Sequence, residues 1–128
     1  VRLLLDTHTL IWAMLEPDML SANAATLLAD PSNALMASIA SLWEITIKIG
    51  TGKMVIPGSD IDSIIENLDP FRIQLIPVLP SHLLALQALP RHHKDPFDRI
   101  LIAQAQTERL PLVTVDKKIR EYNVTAIW

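Results

Sequence analysis

The stretch Val1-Arg2-Leu3-Leu4-Leu5-Asp6-Thr7-His8-Thr9-Leu10-Ile11-Trp12 decides the fold class. Three successive leucines leave no polar face, so residues 2–5 read as a short strand buried on both sides. A helical pattern over residues 7–15 follows and must end before Pro17. The same succession recurs along the chain. Residues 34–37 read as a strand, followed by a helix from about Ser38 to Ile49 that Gly50 and Gly52 stop. A strand over 73–78 precedes a helix over 81–89. The best-marked helix, 95–109, leads into a buried strand over 112–115, and 124–127 forms a final strand. Two further helices fit residues 22–30, capped by Ser21, and 60–68, opened by Ser59 or Asp60, with a turn at Pro31-Ser32-Asn33. Strands that alternate with helices and are apolar on both faces indicate an α/β domain with a mainly parallel sheet.

The chain has 128 residues, which is one domain with room for a core that needs no disulfide. Half its residues are hydrophobic but only 5% aromatic, so Leu, Ile, Val and Ala do most of the packing. It contains no cysteine, which excludes disulfides, thiolate zinc sites and cysteine catalysis and suits a reducing cytoplasm. No apolar stretch approaches the roughly 20 residues of a membrane span, and no secretory signal is visible at the amino terminus. The net charge of −3 argues mildly against nucleic-acid binding over a broad surface. The distribution softens that argument, because the basic residues gather in the last third of the chain. A cation bound among acids would also reduce their field.

Four acids sit at the ends of apolar runs or inside one: Asp6, Glu44, Asp98 and Asp116. Burying an isolated carboxylate costs several kcal/mol or more, so such groups cap helices, pair with cations or hold metals. In open parallel sheets ligands bind beyond the carboxyl ends of the strands, where Asp6 and Asp116 fall. Each is equally explained as a helix N-cap. In Asp95-Pro96-Phe97-Asp98, Asp95 suits the N-cap, Pro96 the first helical position and Asp98 the third, where an acid can close a capping box. Glu44 has no capping duty. An exposed pair with Lys48 would stabilise by about 0.3–0.5 kcal/mol. Its helix also carries Ile39, Leu42, Trp43, Ile45, Ile47 and Ile49, which predicts a largely buried helix whose Glu faces something polar.

The histidines say less. His92-His93 before Asp95 could suggest zinc, but this Pro- and Lys-containing stretch reads more simply as an exposed loop. His8 either lines a crevice beside Asp6 or packs locally. Arg99 either touches a phosphate or neutralises its acidic neighbours. His82 carries no functional signal.

Taken together, Leu-Leu-Asp6-Thr7-His8 with Leu10 and Trp12, Ser41-Leu42-Trp43-Glu44-Ile45, Asp95-Pro96-Phe97-Asp98-Arg99 leading into Leu101-Ile102-Ala103-Gln104-Ala105, and Thr114-Val115-Asp116 resemble the motifs of PIN-domain ribonucleases, in particular VapC-type toxins. The resemblance implies an α/β/α sandwich over residues 1–128 with an acidic pocket for Mg²⁺ or Mn²⁺. It carries over to Asp6, Glu44, Asp98 and Asp116 as the acidic quartet that holds metal and performs catalysis. Thr114, Thr7, Ser41 and Arg99 become supporting residues, and Asp95 a possible ligand through water. It further implies an RNA substrate, a cognate antitoxin laid over the pocket, and a homodimer. Oxygen donors of this kind suit Mg²⁺ better than zinc, and one or two such ions can activate water and steady the leaving oxygen in phosphodiester cleavage.

Two rivals remain. A phosphoacceptor signalling domain also clusters acids at strand ends beside a Thr. It requires an acidic pair at the first strand and a Lys at the last, whereas this chain offers one acid at its first strand. A non-catalytic PIN scaffold has no reason to keep all four acids.

Overall fold

The computed structural model describes residues 1–56 and 60–128. Five strands, β1 (Arg2–Leu5), β2 (Ala34–Ser38), β3 (Ile73–Ile76), β4 (Leu112–Val113) and β5 (Ala126–Ile127), form one sheet in the order β3-β2-β1-β4-β5. Every pairing is parallel, with Leu5 opposite both Ala37 of β2 and Val113 of β4. The α/β class and the parallel sheet expected from the sequence are what the structure has.

The period-two alternation of β1 divides the core. Leu3 and Leu5 point to one face, where they pack with Leu10 and Ile11 of α1 (Thr7–Leu15), Ala24 and Leu28 of α2 (Ala22–Ala29), Leu42 and Ile45 of α3 (Ile39–Gly50) and Ile64 of α4 (Ile61–Asn67). Leu4 points to the other face. There it joins Met36, Leu112 and Ile76 against Ile100, Ile102 and Ala103 of α6 (Pro96–Glu108), with Ala85 and Leu86 of α5 (Pro80–Ala88) at its margin. Both faces are therefore covered, which is why the strands are apolar throughout.

Several boundaries differ from the sequence reading. Strand β3 stops at Ile76 rather than 78, because Pro77 has no N–H to continue the ladder. Strand β4 ends at Val113, two residues early: the Thr114 Oγ1 accepts the Asp116 N–H at 3.0 Å and Asp116 Oδ1 accepts the Lys118 N–H at 2.9 Å. These local bonds replace the ladder and start a 3₁₀ turn over Lys117–Glu121. Gly50 is the last residue of α3 rather than its stop, and Gly52 takes the left-handed backbone (φ +73°). Asp60 caps α4 by accepting from the Asp62 and Ser63 amides, while Ser59, the other expected cap, lies outside the described residues.

The expectation that α3 is largely buried is corrected. Ile39 and Ile47 are exposed, and Trp43 is 63% exposed with its ring edge-on to Phe97 at 5.2 Å. Only one face of α3, with Ala40, Ser41, Leu42, Glu44 and Ile45, turns inward. Ile39 and Trp43 border a cavity of about 400 Å³ together with Leu83, Leu86 and Phe97.

Candidate metal centre

The chain adds β2 and β3 on one side of the central β1 and returns for β4 and β5 on the other. Such a reversal opens a crevice at the strands' carboxyl ends. Asp6 follows β1 there, Thr114 and Asp116 follow β4, the second turn of α3 brings Glu44 and the first turn of α6 brings Asp98.

Asp6 is buried and caps α1, its Oδ1 accepting the Thr9 N–H at 2.8 Å. Burial raises its pKa, against hydrogen bonds from Thr114 and Thr9 and the charge of His8. The Thr114 hydroxyl therefore serves both acids of the sheet, donating to Asp6 and accepting the Asp116 amide. A buried bond from Thr7 Oγ1 to Ser41 Oγ, 3.0 Å, ties α1 to α3 beside them.

Glu44 is only 3% exposed. Its Oε2 accepts from Lys48 Nζ at 2.6 Å, so the pairing with Lys48 forms with its Glu buried rather than exposed, and that bond raises the Lys48 pKa. The other oxygen, Oε1, is buried with no partner. An orphaned carboxylate oxygen is costly unless something outside the chain satisfies it.

Asp98 shows how crowded the crevice is. Its pKa is pushed up to about 7, first by burial and then by the negative charges of Asp95, Glu44 and Asp6, with His93 pulling the other way. Asp116 is held below the usual range. Burial would raise it, but the His93 hydrogen bond, the Lys118 amide and the charges of His93 (when protonated) and Lys118 outweigh that.

Asp95 is the N-cap of α6, accepting the Phe97 and Asp98 amides at 2.8 and 3.1 Å. The capping box does not form, because the Asp95 N–H goes to His93 Nδ1 at 3.1 Å. The Asp98 carboxylate is thereby left to the crevice. Arg99 does not reach the acids. Its guanidinium donates to the carbonyl of Pro90 at 2.8 Å and to the Tyr122 hydroxyl at 3.2 Å, with longer contacts to the carbonyls of His93 and Leu86.

His93, read from the sequence as part of an exposed loop, is largely buried and belongs to the centre. Its Nε2 lies 3.0 Å from Asp98 Oδ2 and 2.9 Å from Asp116 Oδ2. A His two residues before an Asp cap was the available signal. His92 instead packs its ring against Tyr122, and His8 is exposed with its ring against Trp12. His82 is buried between the Leu79 amide and Glu108 and is structural.

Among the described residues His93, Asp98 and Asp116 bring potential ligand atoms within 4.8 Å of one another, while Asp6 and Glu44 stand outside that group; carboxylate oxygens of this kind, one of them orphaned, suit a hard divalent cation. The class defined is an α/β sandwich with an acid-lined crevice at the carboxyl end of a parallel sheet. A family model described as PIN domain matches residues 3–124, and the chain belongs to the PIN domain family.

Solved structures share the fold. A chain of the VapBC2 complex from Rickettsia felis, bound to a promoter DNA fragment, superposes with a TM-score of 0.70 at 17% identity, covering 99% of this chain and 98% of that one. A chain of a toxin–antitoxin complex from Klebsiella pneumoniae gives 0.64 at 21% identity, over 98% and 96% of the two chains. One from FitAcB of Neisseria gonorrhoeae gives 0.64 at 16% identity over the same shares. At such identities the likeness carries the fold alone. No curated protein matches the chain.

Proposed function

We propose that this chain is a Mg²⁺- or Mn²⁺-dependent endoribonuclease, the VapC-type toxin of a toxin–antitoxin pair, built as one PIN domain over residues 1–128 and acting in the cytoplasm. The observation that carries the reading is the state of Asp98, whose pKa is lifted to about 7 first by burial and then by the negative charges of Asp95, Glu44 and Asp6. Like charges at this density are tolerable when a cation joins them.

In this reading Asp6, Glu44, Asp98 and Asp116 would hold the metal, for which the buried Oε1 of Glu44 has an unused lone pair. When bound, the ion supplies Lewis acidity to the scissile phosphate and acidifies water for in-line attack. The carboxylates orient that water, and one of them accepts its proton. Thr114 steadies Asp6 and Asp116, the Thr7–Ser41 bond fixes α1 against α3, Asp95 holds the start of α6, and Arg99 ties down the loop before it. An antitoxin would present a basic side chain to the acids, and the toxin would work as a homodimer. No helix among the described residues is long and apolar enough to cross a membrane.

Purified protein should cleave RNA only with Mg²⁺ or Mn²⁺, and Asp6→Asn should abolish cleavage. Equal activity in excess chelator would refute the metal mechanism and favour a scaffold or signalling role. The product of the neighbouring reading frame should co-purify with the chain and silence it; full nuclease activity in that complex would remove the inhibitory partner.

A further inference from the structure

We infer that His93 is a positioning residue for the metal-binding carboxylates: its ring N–H ties Asp98 to Asp116 and stays in place when a divalent ion binds. The inference rests on the metal-dependent reading above and adds a residue to it.

By distance alone, His93 Nε2 would count as a third ligand, because it and one oxygen each from Asp98 and Asp116 all lie within 4.8 Å of one another. The other side of the ring argues against that. The backbone N–H of Asp95 can only donate, and it points at Nδ1 from 3.1 Å. Nδ1 must therefore offer a lone pair, and the ring hydrogen sits on Nε2. A nitrogen that bears hydrogen has no lone pair for a metal. It can donate to the carboxylates, and Asp98 Oδ2 and Asp116 Oδ2 at 3.0 and 2.9 Å are placed to accept. Each carboxylate keeps further lone pairs for an ion.

The ring is also hard to move. The His93 backbone N–H donates to the Tyr122 hydroxyl at 2.8 Å, and Arg99 donates to that same hydroxyl and to the carbonyl of Pro90. Swinging the imidazole out would strip the Asp95 amide of its acceptor as well. Without the ring N–H, two negative groups from different segments would face each other and separate. His93 thus fixes their spacing before an ion arrives, as hydrogen bonds behind ligating groups do in metal sites.

The test titrates Mn²⁺ calorimetrically into wild type, His93→Ala and His93→Gln, with melting of the metal-free proteins recorded alongside. Glutamine is the informative variant, because its amide N–H can occupy the place of Nε2–H. His93→Ala should weaken Mn²⁺ binding about 10–100-fold, and His93→Gln should restore most of it. If His93→Ala does not fold, long-range ¹H–¹⁵N spectra of the wild-type imidazoles decide the matter: the ring hydrogen of His93 should stay on Nε2 with and without Mg²⁺. Mn²⁺ binding to His93→Ala as tight as wild type or tighter would overturn the inference, since the ring would then be idle or a competitor. Transfer of the hydrogen to Nδ1 on adding Mg²⁺ would overturn it too, making His93 a direct ligand. A wild-type protein that binds neither ion defeats the metal reading itself.

Discussion

Replacing Asp98 with Asn removes one negative charge from the crevice while keeping the side chain's shape. In the folded protein the Asp98 pKa stands at about 7 against 3.8 for an unperturbed carboxyl, which corresponds to about 4 kcal/mol for ionising it in place. The Asp98 side chain is 23% exposed and His93 offsets part of the repulsion, so the effect on stability should be roughly 2–4 kcal/mol. The sign follows from linkage. A carboxyl whose folded pKa is raised contributes stability that is complete below about pH 4 and lost as pH rises through about 7. Burial-raised Asp6 acts in the same direction and lowered Asp116 in the opposite one, so the difference between wild type and Asp98→Asn isolates Asp98. Urea unfolding in chelator should give similar stabilities near pH 4, with the variant pulling ahead of wild type by that amount near pH 8. Mg²⁺ should return the lost stability to wild type and not to the variant. Parallel curves across this range would mean that Asp98 ionises freely and that the acids do not crowd one another.

Glu44→Gln should change metal-free stability by no more than about 1 kcal/mol, because the amide oxygen can still accept from Lys48, and should abolish stabilisation by Mn²⁺; melts with and without the ion check this, and a variant that unfolds or keeps the full metal shift would make Glu44 a structural partner only. Asp95→Ala should cost about 0.5–2 kcal/mol through loss of the cap and lower the Asp98 pKa by removing a neighbouring charge, as carboxyl ¹³C titration would report. Arg99→Ala should destabilise by about 1.5–3 kcal/mol, since its guanidinium holds loop carbonyls. The salt dependence of RNA binding should not change in that variant; a reduced slope would make Arg99 a phosphate contact instead.

The sheet was legible because parallel strands covered on both faces must be apolar throughout, and Leu3-Leu4-Leu5 and Leu112-Val113 leave no other reading. At the acids, capping does not exclude a further role. A carboxylate has two oxygens: Asp116 uses Oδ1 for the Lys118 amide and Oδ2 for His93, and Glu44 gives Oε2 to Lys48 while Oε1 has no partner. His93 was not legible, because its place depends on how the loop before α6 folds back over Asp116, which local pattern does not encode. Nor was the outward face of α3, since an apolar helix reads alike whether its cover comes from its own chain or is missing.

The strand order has a consequence in the time of synthesis. Asp6 leaves the ribosome long before Asp116, and β4 is the strand that closes the open side of β1 through Leu4 and Leu112. Until that pairing forms, the central strand has one bare edge and the crevice lacks a wall. The acid-lined crevice is therefore incomplete until the segment carrying β4 and Asp116 has been made.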